Sequence, residues 1–211
     1  LRGDPGTTCV LKLERPTADS TYIPMELKIT RGTIRTNPVP YYGMVDKNIG
    51  YIAISTFAIE GCSKDIKKAL IELKQQGATS IVLDLRGNGG GLLSEAVNVV
   101  NFFVPKGKEI VVTKGKIKQA GSTYKTSNEP IDMEIPLTVL VDGATASAAE
   151  IVSGSLQDLD RAVIVGNRTY GKGLVQVPRE LPYNSSMKVT TAKYYIPSGR
   201  CIQAIDYAKR N

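Results

Sequence analysis

The chain contains no histidine in 211 residues. A serine nucleophile commonly takes an imidazole as its base, and zinc sites commonly include imidazole ligands. The absence of histidine excludes a Ser-His-Asp triad and weakens the case for a metal site. A nucleophilic serine in this chain would therefore need another base, and a lysine amine is the candidate.

Cysteines and long apolar runs are also scarce. The three cysteines are odd in number and form no C-x-x-C pair, which argues against a disulfide scaffold and against a zinc site. The most apolar stretch, residues 96–104, is interrupted by two asparagines and is far shorter than the ~18 to 20 apolar residues of a membrane span. We predict no transmembrane segment, no metal and no cofactor.

The opening residues, Leu1–Thr8, have neither an initiator methionine nor the pattern of a signal peptide, as expected of an excised piece. Hydrophobic residues make up 42% of the chain, which is enough to fill the core of one moderately large domain. The sequence carries no signal for an oligomeric state.

The formal net charge of +7 raises the question of a nucleic-acid partner. In the densest basic stretch, apolar residues alternate with the lysines as they do in a hairpin, and aromatic residues are absent. We therefore predict a solvated hairpin face and no nucleic-acid partner, with a nucleic-acid or anionic-surface patch as the alternative. The lysines of this stretch are Lys106, Lys108, Lys114, Lys116 and Lys118.

Strand and helix patterns alternate through the middle of the chain, which predicts an α/β core with parallel crossovers. Apolar spacing predicts a helix that Ser63 caps and Gly77 ends. A second helix, residues 92–104, is apolar around most of its circumference and is expected in the core. Residues 80–85 and 137–141 have the continuous apolar pattern of strands covered on both faces.

A glycine-rich turn, GNGGG at 87–91, follows the first of these strands and precedes a helix. Such a turn brings free backbone N–H groups to one point, close to the positive end of the helix dipole. The turn does not complete the G-x-G-x-x-G dinucleotide pattern. A structural turn, an oxyanion hole and a nucleotide-phosphate site remain open as its role.

Two further loops carry side chains that could do chemistry. Ser147 precedes a predicted helix, where it could be an N-cap or a nucleophile. Lys172 lies between two glycines and could be a turn residue, a phosphate ligand or a base. A lysine acts as a base only when it is neutral, and burial lowers lysine pKa values by up to ~3 to 5 units. A base role therefore predicts a desolvated lysine, with Gln176 four residues later to orient its amine.

The three loops, in this order, resemble the C-terminal processing peptidases, also called tail-specific proteases. The family pattern around the nucleophile is roughly N-x-x-S-A-S-A-S-E, and this chain reads D-G-A-T-A-S-A-A-E from Asp142 to Glu150. The family also has a Gly-Lys-Gly lysine 25 residues after the serine and a glutamine four residues later. The resemblance extends over nearly the whole chain, although Asp142, Thr145 and Ala149 replace the family's usual Asn, Ser and Ser.

The resemblance implies a function and a set of site residues. It implies a serine endopeptidase that uses a Ser147/Lys172 dyad, passes through an acyl-enzyme, and cleaves near the unstructured C-terminal tails of polypeptide substrates. The implied catalytic residues are Ser147, Lys172 and Gln176, the oxyanion hole is Gly90 and Ala148, and Asp158 is an auxiliary residue.

The same resemblance implies an α/β fold with a crotonase-like (ClpP/crotonase) β-β-α core and flanking β segments. Residues 1–15 would be the C-terminal remnant of a PDZ domain and residues 16–211 the catalytic core, with truncation of that core at its C-terminus left open. The family usually works in the cell envelope, so a periplasmic or membrane-anchored parent protein is expected. Two other functions stay open, namely a crotonase-like acyl-transfer or acyl-CoA enzyme and a non-catalytic peptide-binding fragment.

Overall fold

The computed structural model describes residues 1–34, 36–116 and 121–205, in two compact units that divide between Thr36 and Asn37. The first unit is an antiparallel pair of strands, β1 (Thr8–Pro16) and β2 (Tyr22–Thr30), with Thr8 opposite Thr30. The pairing keeps both strands of the hairpin in one unit. The assignment of residues 1–15 to a PDZ domain stays a prediction.

The described part of the second unit contains three helices and nine strands. In chain order they are β3 (Tyr41–Asp46), β4 (Ile49–Ala53), α1 (Cys62–Gln75), β5 (Ser80–Asp84), α2 (Leu93–Asn101), β6 (Glu109–Lys114), β7 (Ser122–Lys125), β8 (Leu137–Val141), α3 (Ala148–Asp158), β9 (Val163–Gly166), β10 (Leu174–Leu181) and β11 (Ser185–Tyr195).

Five of these strands form one sheet in the order β3-β4-β5-β8-β9. The hairpin of β3 and β4 is antiparallel, whereas β4, β5, β8 and β9 run parallel to one another. This arrangement confirms the predicted parallel crossovers. Because β5 and β8 are parallel neighbours, the loops that follow them both start at the carboxyl ends of the strands. Ligands of α/β proteins commonly bind at these ends.

The core is formed by apolar side chains of the parallel strands and of the three helices. Helix α2 packs against both α1 and α3, and Ala96, Val99 and Val100 are fully buried. This confirms the predicted core helix, although it ends at Asn101 rather than at residue 104. Phe103 and Val104, which follow it, remain buried without helical structure.

Helix α1 ends as predicted but begins differently. Gly77 has φ +97°, the left-handed conformation that favours glycine after a helix. The predicted Ser63 cap is wrong, because the N–H groups of Gly61 and Ser63 donate to the carboxylate of Glu95 on α2, at 2.9 and 2.8 Å. Burial raises the pKa of Glu95, but the hydrogen bonds from Ser63 and Gly61 outweigh it and lower the pKa below its usual value.

A second, antiparallel sheet has the order β10-β11-β6-β7. Strands β6 and β7 form an antiparallel pair, in which β6 carries Lys114 of the basic stretch, whereas β7 begins at Ser122, after that stretch. Lys118 lies outside the described residues, so the predicted hairpin within the basic stretch stays a prediction. The Ser155 hydroxyl of α3 donates to the Ile110 carbonyl of β6 at 3.1 Å, which ties this sheet to the helical layer. None of the described helices has both the length and the apolar character needed to cross a membrane.

Candidate active site

The loops after β5 and β8 are joined by hydrogen bonds. The N–H of Gly87 donates to both carboxylate oxygens of Asp142, at 3.0 and 3.1 Å, and the N–H of Ala146 donates to the Asn88 carbonyl at 2.9 Å. The bond from Gly87 is the main reason that the pKa of Asp142 lies below its usual value. The glycine-rich turn therefore lies directly against the loop that precedes Ser147.

Ser147 stands at the start of α3 with φ 58° and ψ −118°. Such a conformation costs a residue other than glycine about 1 to 3 kcal/mol and persists only where its surroundings enforce it. Here the Ser147 N–H donates to Glu150 at 2.8 Å, and its carbonyl accepts the Ile151 N–H at 3.0 Å. Strained serines at strand-to-helix turns are typical of nucleophiles, because the turn presents the hydroxyl outside the sheet.

The two predicted oxyanion residues lie beside this serine. A Cβ atom added to Gly90, which has φ +92°, would lie 2.8 Å from the Ala148 nitrogen and 2.8 Å from the Ser147 Cβ. The Ala148 N–H has no acceptor among the described residues, whereas the Gly90 N–H donates to the Asn88 side-chain oxygen at 2.9 Å. One predicted donor is thus free and the other is held by a neighbouring amide.

The loop that carries Lys172 is fixed to the serine loop through Glu150. This carboxylate is 4% exposed and accepts three backbone N–H groups, from Ser147 at 2.8 Å, Gly171 at 2.6 Å and Lys172 at 2.8 Å. The amides of Ser147 and Lys172 share the same oxygen, so their nitrogen atoms are separated by no more than twice that distance. The backbones of the predicted nucleophile and base are therefore neighbours.

The glycines on each side of Lys172 are explained by a close approach of the chain. A Cβ atom on Gly171 would lie 2.5 Å from the Ala204 Cβ, and one on Gly173 would lie 2.3 Å from the Gln203 nitrogen. The Gly171 carbonyl accepts the Ala204 N–H at 2.9 Å, and the Gly173 N–H donates to the Gln203 side chain at 3.0 Å. Both glycines let this segment pass against the lysine loop.

The side chain of Lys172 does not have the buried position that a base role predicts. The residue is exposed, and no hydrogen bond joins its Nζ atom to the Ser147 hydroxyl in the part of the chain that the structure describes. The structure thus brings the two backbones together and leaves the amine in solvent. The Ser147/Lys172 dyad stays a prediction.

The other two predicted residues have different partners. Gln176 is exposed, and its side-chain nitrogen donates to the Thr190 hydroxyl at 3.3 Å rather than to any atom of Lys172. Asp158 accepts the Arg200 guanidinium at 2.6 Å and the Ser198 N–H at 2.9 Å, so it holds the turn after β11 against the end of α3. Roles for both residues in catalysis stay predictions.

Sequence reasoning missed the part that Glu150 plays between the two loops. A local signal was present, because Ser147 and Glu150 form the S-x-x-E pattern of a capping box, in which the glutamate accepts the N-cap N–H. That pattern predicts the contact with Ser147. The contacts with Gly171 and Lys172 join residues more than twenty positions apart, and no local pattern predicts them.

Comparisons with known proteins agree with the resemblance seen in the sequence. The family model "Peptidase family S41" matches residues 48–208. A carboxyl-terminal-processing protease of Picosynechococcus sp. is 40% identical over 200 residues, which cover 93% of this chain and 46% of that protein. The carboxy-terminal processing protease CtpA of Bacillus subtilis is 36% identical over 202 residues, with coverage of 96% and 42%.

Among solved structures, a photosystem II D1 C-terminal processing protease matches with a TM-score of 0.70 and 34% identity, over 95% of this chain and 54% of that chain. The chain spans about half the length of the relatives it matches. The family match covers most of the chain, and it includes the glycine-rich turn, Ser147 and Lys172. The chain therefore belongs to peptidase family S41.

Proposed function

We propose that this chain carries the catalytic centre of a serine endopeptidase that cleaves polypeptides near unstructured C-terminal tails. The observation that carries the proposal is the Glu150 carboxylate, which binds the backbone N–H groups of both Ser147 and Lys172. A free amide at Ala148 lies beside them, where it can stabilise negative charge on a substrate oxygen. The relatives named as processing proteases support the same reaction class.

In the proposed mechanism, Lys172 in its neutral form removes the Ser147 proton while the serine oxygen attacks a peptide carbonyl carbon. The amide nitrogen then leaves with the proton from Lys172, and an acyl-enzyme remains on Ser147. A water molecule, deprotonated by the same lysine, attacks the ester; the bond to the Ser147 oxygen breaks, that oxygen takes the proton back from Lys172, and the second product leaves. Lys172 is exposed in this structure, so we propose that the bound peptide excludes water from the amine.

The oxyanion in this mechanism is held by the N–H groups of Ala148 and Gly90. The Gly90 N–H must first release the neutral Asn88 oxygen that it binds in this structure. An oxyanion is the stronger acceptor, because hydrogen bonds to charged groups are roughly twice as strong as those between neutral groups. The exchange would therefore favour the transition state over the free enzyme.

Cleavage of an unstructured tail peptide by the whole chain, with the products identified by mass spectrometry, tests the proposal. Ser147→Ala should abolish cleavage, and Lys172→Ala should reduce it by roughly 10²- to 10⁴-fold. Lys172→Arg is the matched control, because arginine keeps the positive charge but is not deprotonated in proteins. Full activity in either lysine variant would reject the base assignment. Labelling of Ser147 by a serine-directed phosphonate separates this function from acyl-CoA chemistry.

Three broader features belong to the same proposal and rest on the family resemblance. They are a crotonase-like β-β-α core, a PDZ origin for residues 1–15, and a periplasmic or membrane-anchored parent protein. The parallel strands and the loops at their carboxyl ends support the first of these. Cell fractionation of the parent protein tests the third, and recovery in the cytosolic fraction alone would contradict it.

A further inference from the structure

The strand that follows the catalytic lysine has one free edge. Strand β10 begins at Leu174, two residues after Lys172, and pairs only with β11 within residues 1–34, 36–116 and 121–205. Its other edge therefore presents backbone N–H and C=O groups without a neighbouring strand. Such an edge can accept an extended polypeptide as an added strand.

The direction of the backbone groups along β10 follows from two contacts. The Gly173 carbonyl accepts the Tyr194 N–H of β11 at 2.8 Å, so Gly173 faces β11. Successive residues of a strand point their N–H and C=O groups to alternate sides. Val175 pairs with Ala192 and Gln176 pairs with Thr190, so the extra, unpaired residue lies on β11. The alternation along β10 is therefore preserved. Leu174 and Gln176 thus face the free edge.

Pro178 is the next residue that faces this edge, and its position agrees independently with the alternation. Proline has no N–H to donate, so within a sheet it is tolerated on edge strands where its nitrogen faces outward. Pro178 therefore interrupts the row of donors on the free edge after Gln176. A strand that pairs with this edge has two complete sites, at Leu174 and Gln176, before the interruption.

We propose that the free edge of β10 binds the substrate backbone through Leu174 and Gln176, and that Pro178 ends this pairing. The proposal deepens the proposed endopeptidase function and rests on it. The occupant is an extended, unstructured polypeptide, because such a chain offers unpaired backbone groups at strand spacing and is the substrate of the proposed function. Recognition through the backbone places few demands on the side chains of the substrate.

The position of the edge fixes which part of the substrate it holds. Strand residues rise about 3.3 Å each, so Leu174 lies roughly 7 Å along the chain from Lys172, and Gln176 lies roughly 13 Å from it. A substrate residue paired with Leu174 is therefore about two positions from the one that faces the lysine. The edge holds substrate residues about two to four positions from the cleaved bond, on one side of it.

Amide hydrogen exchange with β-casein, an unstructured protein, tests the proposal on the Ser147→Ala variant, in which bound casein is not cleaved. In the free protein the Leu174 and Gln176 amides should exchange fast because they face solvent. Saturating casein should slow the exchange of these two amides and leave Glu180, beyond the proline, unchanged. This measurement does not depend on catalysis.

A pair of proline variants tests the same edge by affinity. Gln176→Pro removes an outward N–H before Pro178, whereas Glu180→Pro removes the corresponding outward N–H beyond it. We expect Gln176→Pro to weaken casein binding by about 2- to 10-fold, the effect of one hydrogen bond, and Glu180→Pro to leave it unchanged. Gln176→Ala keeps the amide and should weaken binding less than Gln176→Pro does. Circular dichroism checks that each variant folds.

Slower exchange at Leu174 and Gln176, together with weaker binding by Gln176→Pro alone, would support the proposal. Equal affinities of the two proline variants would overturn it, as would protection confined to another free edge such as β9, or an absence of casein binding. The proposed function is judged separately, by Ser147-dependent cleavage in the wild-type chain. Cleavage without protection of β10 would reject the substrate edge and leave the peptidase function standing.

Discussion

A methyl group at Gly90 should disable the site more strongly than the same change in the same turn at Gly87. Both glycines have positive φ, +92° and +72°, so alanine at either position costs about 1 to 2 kcal/mol of folding free energy. At Gly90 the new Cβ would also lie 2.6 Å from the Ala146 carbonyl oxygen and 2.8 Å from the Ala148 nitrogen, whereas at Gly87 it would meet nothing within 4 Å. Overlap with rigid backbone typically adds about 1 to 3 kcal/mol.

The overlap also predicts an effect on catalysis. Ordinary contacts lie at about 3.5 Å or more, so the serine loop must retreat by roughly 1 Å from Gly90. A misplacement of roughly 1 Å can reduce the rate about 10²-fold. Gly90→Ala should therefore lose about 10²-fold in kcat/KM, and Gly87→Ala should retain most of its activity.

Two measurements on the Gly87→Ala and Gly90→Ala variants test this reasoning. Urea unfolding gives the loss of stability in each variant. We expect Gly90→Ala to lose about 1 to 3 kcal/mol more unfolding free energy than Gly87→Ala does. Cleavage of a tail peptide gives the difference in rate. Equal stabilities in the two variants would show that the serine loop yields freely and would refute the close packing on which the prediction depends.

Two other substitutions and one labelling experiment have expected outcomes. Glu150→Gln leaves a single amide oxygen for three N–H donors, so at least one donor faces an NH₂ group. We expect kcat/KM to fall about 10- to 10²-fold in peptide-cleavage assays while the fold stays intact. Unchanged kinetics would contradict this expectation. The lowered pKa of Asp142 means that its carboxylate stabilises the fold above its ordinary value of 3.8 and loses this effect as pH falls through the lowered value. Asp142→Asn, which keeps an oxygen for the Gly87 N–H, should therefore show a flatter loss of urea stability between pH 6 and pH 3, and an identical pH dependence would exclude the carboxylate as the cause. Burial raises the pKa of the Cys62 thiol to about 12, whereas Cys201 is partly exposed. A thiol reagent should therefore label Cys201 in the native protein and Cys62 only after unfolding. Equal labelling rates for the two thiols would contradict the buried position of Cys62.

The helices and strands were predictable where a single segment determines them. The apolar spacing of α1 identifies its buried face, and Gly77 marks its end, because both depend on neighbours in sequence. The start of α1 was mispredicted because its N–H groups are satisfied by Glu95, more than thirty residues away, and not by the local Ser63 hydroxyl. A short polar side chain near a helix start indicates a cap only when no distant carboxylate takes its place.

The same limit applies to the candidate site. The order and spacing of the glycine turn, Ser147 and Lys172 predicted which loops matter, and the parallel sheet explains why the first two meet. The contact of the third loop with Glu150 depends on how the chain returns to α3 after β9. The exposure of Lys172 is likewise a property of the folded surface, and the G-K-G spacing alone gives no measure of it.

The proposed Ser147/Lys172 dyad needs a fixed backbone and an amine that is shielded from water, and Glu150 contributes to the first of these. Three hydrogen bonds to a buried carboxylate fix the backbone at Ser147, Gly171 and Lys172, so the stem of the lysine begins at a defined place beside the proposed nucleophile, Ser147. Lys172 itself is exposed in this structure. A peptide that lies along β10 and over the site would bring the amine out of water only when a scissile bond is present. The protein without substrate would then hold the backbone geometry, and the bound peptide would shield the amine from water. Ser147 should therefore react slowly with small acylating reagents when no peptide is bound and faster when a peptide occupies β10.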